Sequence, residues 1–322
     1  MDKGIILIAL PRERISAGIL ERLQRAGAGR EIRISSNKNE VEQILDTIEI
    51  AVGDVPFSLV SRMTRLKWIQ LWSAGADQLQ RYPELKDAPF ILTSTSGIHG
   101  QQISEHLFGM LFAWNRRFPA AFAAQSRHEW LKIPGGQLFA SAGKTMLILG
   151  YGAAGQTVAR GALAFNMKVI GLRRRPSLSA GAGVRIEAAG KLNELLPLAD
   201  MVVNILPLTQ DTFHLFGKTQ FSLMKQTALY ANMGRGAVTD EQALIEALRS
   251  KTIAGALLDV TEKEPLPPDA PLWELDNVIL TGHYAGLHPG YDALAFDVTF
   301  DNLDRYVRGD TLTHRIDKTA GC

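Results

Sequence analysis

Short apolar runs alternate along the chain with segments whose apolar residues recur every three to four positions. Residues 5–10, 48–52, Trp68–Leu71 and 90–93 are such runs, and each predicts a buried strand. Between the first two, Ile19, Leu20 and Leu23 fall at helical spacing within 16–26. Strands that alternate with helices predict a parallel sheet in an α/β fold. A longer helix is expected over 101–114, where Ile103, Leu107, Met110, Leu111 and Trp114 share one face. Residues 115–143 break this pattern. Pro119, Pro134, Gly135 and Gly136 lie there, and the stretch reads as a connecting or subunit-contacting segment.

A second alternating set begins at Lys144. Strands are expected at Thr145–Leu149, 168–172, 201–205, 228–231, 253–258 and Val278–Leu280, with helices at 156–165 and 221–225. Thr239-Asp240-Glu241-Gln242 has the form of a capping box with Thr239 as N-cap, continued by Ala243, Leu244, Ala247 and Leu248. A final helical pattern carries Leu294, Val298, Leu303, Tyr306 and Val307. Glu264-Pro265-Leu266-Pro267-Pro268 reads as a loop.

Composition narrows the class. The 322 residues suggest about two domains. Lys and Arg number 35 against 33 Asp and Glu, a net charge of +2 that argues against a nucleic-acid partner. The single cysteine, Cys322, excludes an internal disulfide and a Cys-based zinc site, and fits a reducing compartment such as the cytoplasm. The opening apolar run is too short for a signal peptide, and no stretch has the roughly 18 consecutive apolar residues of a membrane span, so no membrane partner is expected. No metal site is expected either.

The strand Thr145–Leu149 runs into Gly150-Tyr151-Gly152-Ala153-Ala154-Gly155 and then a helix. That context is what a GxGxxG fingerprint needs. Gly150 takes the tight turn, Gly152 admits a pyrophosphate, and Gly155 lets the helix pack closely; Ala154 lies in the same cradle. The next strand ends in Arg173-Arg174-Arg175, where an acid would bind the ribose hydroxyls of NAD. Arginine instead suits a 2′-phosphate, so NADP is the expected cofactor, with Arg173 and Arg174 as contacts and NAD as the alternative.

Three polar features follow predicted strands, where open α/β sheets bind ligands. They are Asn232-Met233-Gly234-Arg235-Gly236, Asp259 through Glu264-Pro265, and Thr281-Gly282-His283-Tyr284. Each alone has an ordinary structural reading. Together they supply the groups of a hydride-transfer enzyme: a histidine for proton transfer, a carboxylate to orient it, and an arginine for a carboxylate and its neighbouring carbonyl.

With residues 149–155, Leu206-Pro207-Leu208-Thr209, Thr212, 232–236, Asp259 through Leu266, and 281–286, the chain resembles the D-isomer-specific 2-hydroxyacid dehydrogenases. Ile103-Ser104-Glu105-His106 resembles the family's crossover helix, and Leu71 through Asp77 its substrate loop. The resemblance implies that Arg235, Glu264 and His283 are catalytic. It also implies that Leu206, Pro207, Thr212, Met233, Gly234 and Asp259 line the cofactor, with Asp259 on the nicotinamide carboxamide. Backbone N–H groups of Ala74 and Gly75 would join Arg235 in binding substrate. The chain departs from the family's pattern at Gly282, where proline is common, at Arg173 and at Tyr284. Trp72, His99 and Tyr291 are further candidates for shaping the substrate site.

The expected fold is therefore α/β, with two Rossmann- or flavodoxin-like doubly wound parallel-sheet domains and a substrate cleft between them. Residues 1–99 plus 288–322 would form the substrate domain and 100–287 the dinucleotide domain. The expected activity is hydride transfer between NADP(H) and a small 2-keto acid or D-2-hydroxy acid, with glyoxylate or hydroxypyruvate as candidate substrates. A homodimer is implied. Two alternatives stay open: an NAD(P)-sensing, corepressor-like regulator without turnover, and a dehydrogenase of another small anion on the same fold.

Overall fold

The computed structural model describes residues 3–174 and 183–320, so Arg175 and Cys322 lie outside the described residues. The chain divides into two units, Met1–Ile98 with His288–Cys322, and His99–Leu287.

The first unit holds five parallel strands: β1 (Ile5–Ala9), β2 (Ile32–Ile34), β3 (Ile48–Gly53), β4 (Trp68–Leu71) and β5 (Ile91–Thr93). Their order is β2-β1-β3-β4-β5, the flavodoxin-like arrangement. Along β1, Ile5, Leu7 and Ala9 enter one core while Ile6 and Ile8 enter the other. Both faces are covered, which is why the strand is apolar at every position. The helix Tyr291–Arg308 supplies one cover, with Ala295, Phe296, Phe300 and Leu303 in the same core as Ile6 and Ile8. It stops at Gly309, whose φ of 78° is the left-handed conformation of a helix C-terminus.

Polar groups beneath this helix are paired. Asn302 Nδ2 donates to Gln70 Oε1 at 3.0 Å, and the same oxygen accepts from Thr93 Oγ1 at 2.8 Å. Glu49 accepts from Arg30 Nη2 at 3.0 Å, from the Tyr306 hydroxyl at 2.8 Å and from Gly4 N–H at 2.9 Å. Burial pushes this carboxyl up, but those hydrogen bonds prevail and hold it below the usual glutamate value.

The second unit holds seven parallel strands. They are β6 (Thr145–Leu149), β7 (Lys168–Arg173), β8 (Val184–Ala188), β9 (Met201–Asn204), β10 (Leu229–Asn232), β11 (Gly255–Leu258) and β12 (Val278–Leu280). Their order is β12-β11-β10-β9-β6-β7-β8, a Rossmann arrangement whose topological switch lies between β6 and β9. Leu147 and Leu149 face one core, Met146 and Ile148 the other. The helix Gly100–Asn115 buries Leu107, Met110, Leu111 and Trp114 in the second of these.

Some local features differ from the sequence reading. β2 and β8 were not expected; both are edge strands with partly exposed faces, so their apolar signal is diluted by Arg33, Arg185 and Glu187. Residues Phe118–Ser126 form a helix within the irregular segment. The helix Glu241–Arg249 is capped by Asp240, whose side chain accepts from Ala243 N–H at 3.1 Å. Thr239 is buried instead, and its hydroxyl lies 2.6 Å from that of Tyr230.

Candidate active site

The glycine-rich turn is built at the end of β6. Gly150 has a φ of 94°, and a Cβ there would meet the carbonyl oxygen of Ile205 at 2.9 Å. A Cβ on Gly155 would lie 2.5 Å from the carbonyl oxygen of Gly150, so only glycine lets the helix Ala153–Ala164 start this close to the strand. Gly152 and Ala153 are exposed, and the space over Gly152 is open. The helix ladder begins with Gln156 N–H donating to Gly152, so the N–H groups of Ala153, Ala154 and Gly155 precede it. Together with the helix dipole they suit an anionic pyrophosphate. Arg173 ends β7, half-buried, and Arg174 follows it, exposed. Burial pushes the Tyr151 phenol above its usual value, while Arg173 and Arg160 act in the opposite direction.

The loops after β9 and β10 share a buried polar foundation. Asn204 Nδ2 donates to Asn232 Oδ1 at 3.2 Å, and Leu206 N–H donates to Asn204 Oδ1 at 3.0 Å. Asn232 Oδ1 also accepts from Gly234 N–H at 3.1 Å, while its amide donates to the Arg235 carbonyl at 3.0 Å and to Thr239 Oγ1 at 3.2 Å. A satisfied buried network of this kind fixes the backbone that carries Met233, Gly234 and Arg235. Thr212 closes the preceding loop by donating to the Pro207 carbonyl at 2.7 Å. Gly236 abuts the next loop so closely that a Cβ would fall 1.9 Å from the Thr261 carbonyl oxygen.

That next loop and the one after β12 meet around Asp259, which is only 2% exposed. Asp259 Oδ1 accepts from Thr281 Oγ1 at 2.7 Å and from Tyr284 N–H at 3.1 Å; Oδ2 accepts from Ala285 N–H at 2.9 Å. The Asp259 carbonyl accepts from His283 N–H at 2.7 Å. Glu264 Oε1 accepts from Thr261 N–H at 3.1 Å, which leaves Oε2 for His283 Nδ1 at 2.7 Å. A carboxylate only accepts, so Nδ1 carries the proton of this bond and Nε2 is the nitrogen left for chemistry. His283 has a φ of 57°, an uncommon conformation outside glycine that recurs at functional sites. The peptide bond between Glu264 and Pro265 is cis.

The second unit therefore brings together Arg235, Asp259, Glu264 and His283 at the ends of β10, β11 and β12, with the glycine-rich turn after β6 in the same sheet. In the first unit, Ala74 and Gly75 follow β4, Ala74 exposed and Gly75 half-buried. The loop is closed by Ser73 Oγ donating to the Gly75 carbonyl at 2.8 Å. Tyr291 donates its hydroxyl to the Trp72 carbonyl, and Trp72 Nε1 donates to Asp292 Oδ1 at 3.1 Å. His99 precedes the helix Gly100–Asn115 at its N-cap. His106 and Thr281 both lie in stretches that carry the family resemblance, but no role follows from the sequence for either; the 2.9 Å contact between them joins residues 175 positions apart and is visible only in three dimensions. Among the described residues no cluster of His, Cys, Asp or Glu could hold a metal ion, and no helix is long and apolar enough to cross a membrane.

A Rossmann sheet with a glycine-rich phosphate turn and a paired histidine and carboxylate at its strand ends defines a dinucleotide-dependent oxidoreductase fold and site. Residues 108–285 match the model of the D-isomer specific 2-hydroxyacid dehydrogenase NAD binding domain. A D-3-phosphoglycerate dehydrogenase of Methanocaldococcus jannaschii is 30% identical over 95% of this chain, which spans 58% of that relative's length. A glyoxylate/hydroxypyruvate reductase B of Enterobacter sp. is 37% identical over 77% of this chain and 78% of its own. An NADPH-dependent glyoxylate/hydroxypyruvate reductase of Sinorhizobium meliloti, solved in complex with NADP and sulfate, superposes with a TM-score of 0.84. It is 30% identical and covers both chains completely. The chain belongs to the D-isomer specific 2-hydroxyacid dehydrogenase family, and residues 108–285 are the family's NAD-binding domain.

Proposed function

We propose that this protein reduces a small 2-keto acid to a 2-hydroxy acid with NADPH, glyoxylate and hydroxypyruvate being the first substrates to try. The observation that carries the reading is the 2.7 Å pair of His283 Nδ1 and Glu264 Oε2, on loops that follow strands of a nucleotide-binding sheet. The substrate names come from the relatives in Enterobacter and Sinorhizobium. Preference for NADP rests on Arg173 and Arg174 at the end of β7, where a carboxylate would repel a 2′-phosphate.

The residues present fit a dinucleotide. Gly150, Gly152, Ala154 and Gly155 cradle its pyrophosphate, and Leu206, Pro207, Thr212, Met233 and Gly234 line it. A carboxylate offers about four acceptor positions. Three on Asp259 are taken, which leaves one on Oδ2 for a carboxamide N–H. When bound, the nicotinamide supplies the hydride for the carbonyl carbon. Arg235 holds the substrate carboxylate and the neighbouring carbonyl oxygen, and stabilises negative charge as it develops there. His283 Nε2 gives its proton to that oxygen, and Glu264 stabilises the imidazolium that precedes the transfer. In the oxidative direction neutral His283 takes the proton back. The N–H groups of Ala74 and Gly75 are assigned to the substrate carboxylate.

We assign the protein to the cytoplasm and to a homodimer. The dimer assignment rests on Phe118, Phe122, Trp130 and Leu131, large apolar side chains exposed in one short segment, with Trp130 88% exposed. A panel of 2-keto acids assayed with NADPH and with NADH tests the catalytic reading. Turnover of glyoxylate or hydroxypyruvate with NADPH supports it. Tight NADPH binding without turnover of any member favours the sensor instead, and turnover only of another small anion reassigns the substrate.

A further inference from the structure

His106 lies on the helix Gly100–Asn115, outside the groups assigned to substrate or cofactor, and only 16% of its side chain is exposed. Its Nε2 is 2.9 Å from Thr281 Oγ1 and 3.6 Å from Asp259 Oδ1. The direction of these bonds follows from donor counting. The Thr281 hydroxyl has one proton, and that proton goes to Asp259 Oδ1 at 2.7 Å. Thr281 Oγ1 must then accept from His106, so Nε2 carries the hydrogen. Asp259 in turn holds the backbone N–H groups of Tyr284 and Ala285 with its carboxylate and that of His283 with its carbonyl. The ring of Tyr284 closes the arrangement, edge-on to His106 with centroids 5.2 Å apart.

We propose that His106 is a positioning residue for the reaction: through Thr281 it orients the Asp259 carboxylate and thereby the loop that carries His283. The proposal deepens the dehydrogenase reading and rests on it. Its physical basis is that a buried carboxylate with three fixed donors has one remaining direction in which to accept. If Thr281 loses the donor behind it, its hydroxyl is free to rotate, Asp259 loses its alignment, and the acceptor left for the carboxamide turns with it. Asparagine in place of His106 would be too short to restore the donor, whereas the Nε2 of glutamine reaches about as far as the histidine's.

The test compares wild type with His106→Leu, His106→Gln, Thr281→Val and the double variant. It measures NADPH dissociation constants by fluorescence titration without substrate, kcat and substrate KM, and thermal midpoints. His106→Leu is expected to raise the NADPH dissociation constant and lower kcat by about 3- to 10-fold each, the worth of one hydrogen bond. Substrate KM should stay within about twofold, because Arg235 is untouched. His106→Gln should recover both parameters. Thr281→Val should reproduce the leucine effect, and the double variant should be no worse than Thr281→Val alone. The proposal is overturned if His106→Leu leaves binding and kcat at wild-type values, if glutamine fails to rescue, or if the two single effects add. Should the leucine variant not fold, Thr281→Val with unchanged NADPH binding overturns it just as well. Wild-type protein that binds no NADPH overturns the dehydrogenase reading along with this one. Normal wild-type binding with unaffected variants overturns this one alone.

Discussion

His283 and Glu264, 19 positions apart, meet through Nδ1 and Oε2 at 2.7 Å, and each is anchored separately to the Asp259 loop region. His283 N–H donates to the Asp259 carbonyl, and Glu264 Oε1 accepts from Thr261 N–H. The pair is thus set by two backbone anchors, and its side chains need little rearrangement. His283→Ala is expected to lower kcat by about 10²- to 10⁴-fold, the usual worth of a general acid–base. Glu264→Gln should lower it less, because the amide still accepts from Nδ1 but no longer stabilises the imidazolium. NADPH titration should show near-normal binding for both; a loss of binding would make them cofactor ligands instead.

The proposed preference for NADPH is assigned to Arg173 and Arg174 at the end of β7. Arg173→Ala is expected to weaken NADPH binding by about 10- to 100-fold, the range for a lost charge-assisted hydrogen bond, and to leave NADH nearly unchanged. Parallel kcat/KM measurements with both cofactors check this. An equal loss with both would point to a structural role.

Gly282 stands where the family often has proline. A Cβ there meets nothing within 4 Å, and its φ lies outside the left-handed region. Gly282→Ala should therefore stabilise the fold by about 0.4–1 kcal/mol, by narrowing the unfolded ensemble, with kcat unchanged or raised. Urea denaturation compared with wild type measures the first, and a drop in stability would show that the loop needs a conformation open only to glycine.

Glu49 and Arg30 form a nearly buried pair, 9% and 11% exposed. Glu49→Gln is expected to cost about 3 kcal/mol or more at neutral pH, since it leaves Arg30 buried beside a neutral group. The folded-state value of Glu49 lies below the unfolded one. Its contribution is therefore complete above the unfolded value of about 4.3 and is lost as pH falls through the folded value. Chemical melts at pH 7 and near pH 3 should show the gap between wild type and variant narrowing on acidification.

Much of the architecture was written in local pattern. Apolar runs as continuous as those of β1 and β6 have no polar face to offer water, so they specify strands covered on both sides and hence a parallel α/β fold. The glycine spacing after β6 was equally plain, because Gly150 takes a positive φ and Gly155 packs against the Gly150 carbonyl within the same turn. Arg235, Glu264 and His283 could be nominated because they follow strands, where such sheets gather ligands. Other features were decided by contacts distant in sequence. Thr239 and Asp240 are both competent N-caps; Tyr230 claims the threonine hydroxyl in the core, so the helix takes the aspartate. β2 and β8 depend on pairing with a neighbour, since their own residues mix charge with apolar groups. His106 falls in the stretch that resembles the family's crossover helix, but nothing along the chain assigns it a partner. Its hydrogen bond spans 175 positions, and only the packing of its helix beside the strand ends brings the ring to Thr281 and Asp259. Periodicity and backbone sterics act between near neighbours and are legible along the chain. The direction of a side-chain hydrogen bond depends on where distant backbone is held, and that is settled only when the sheet has formed.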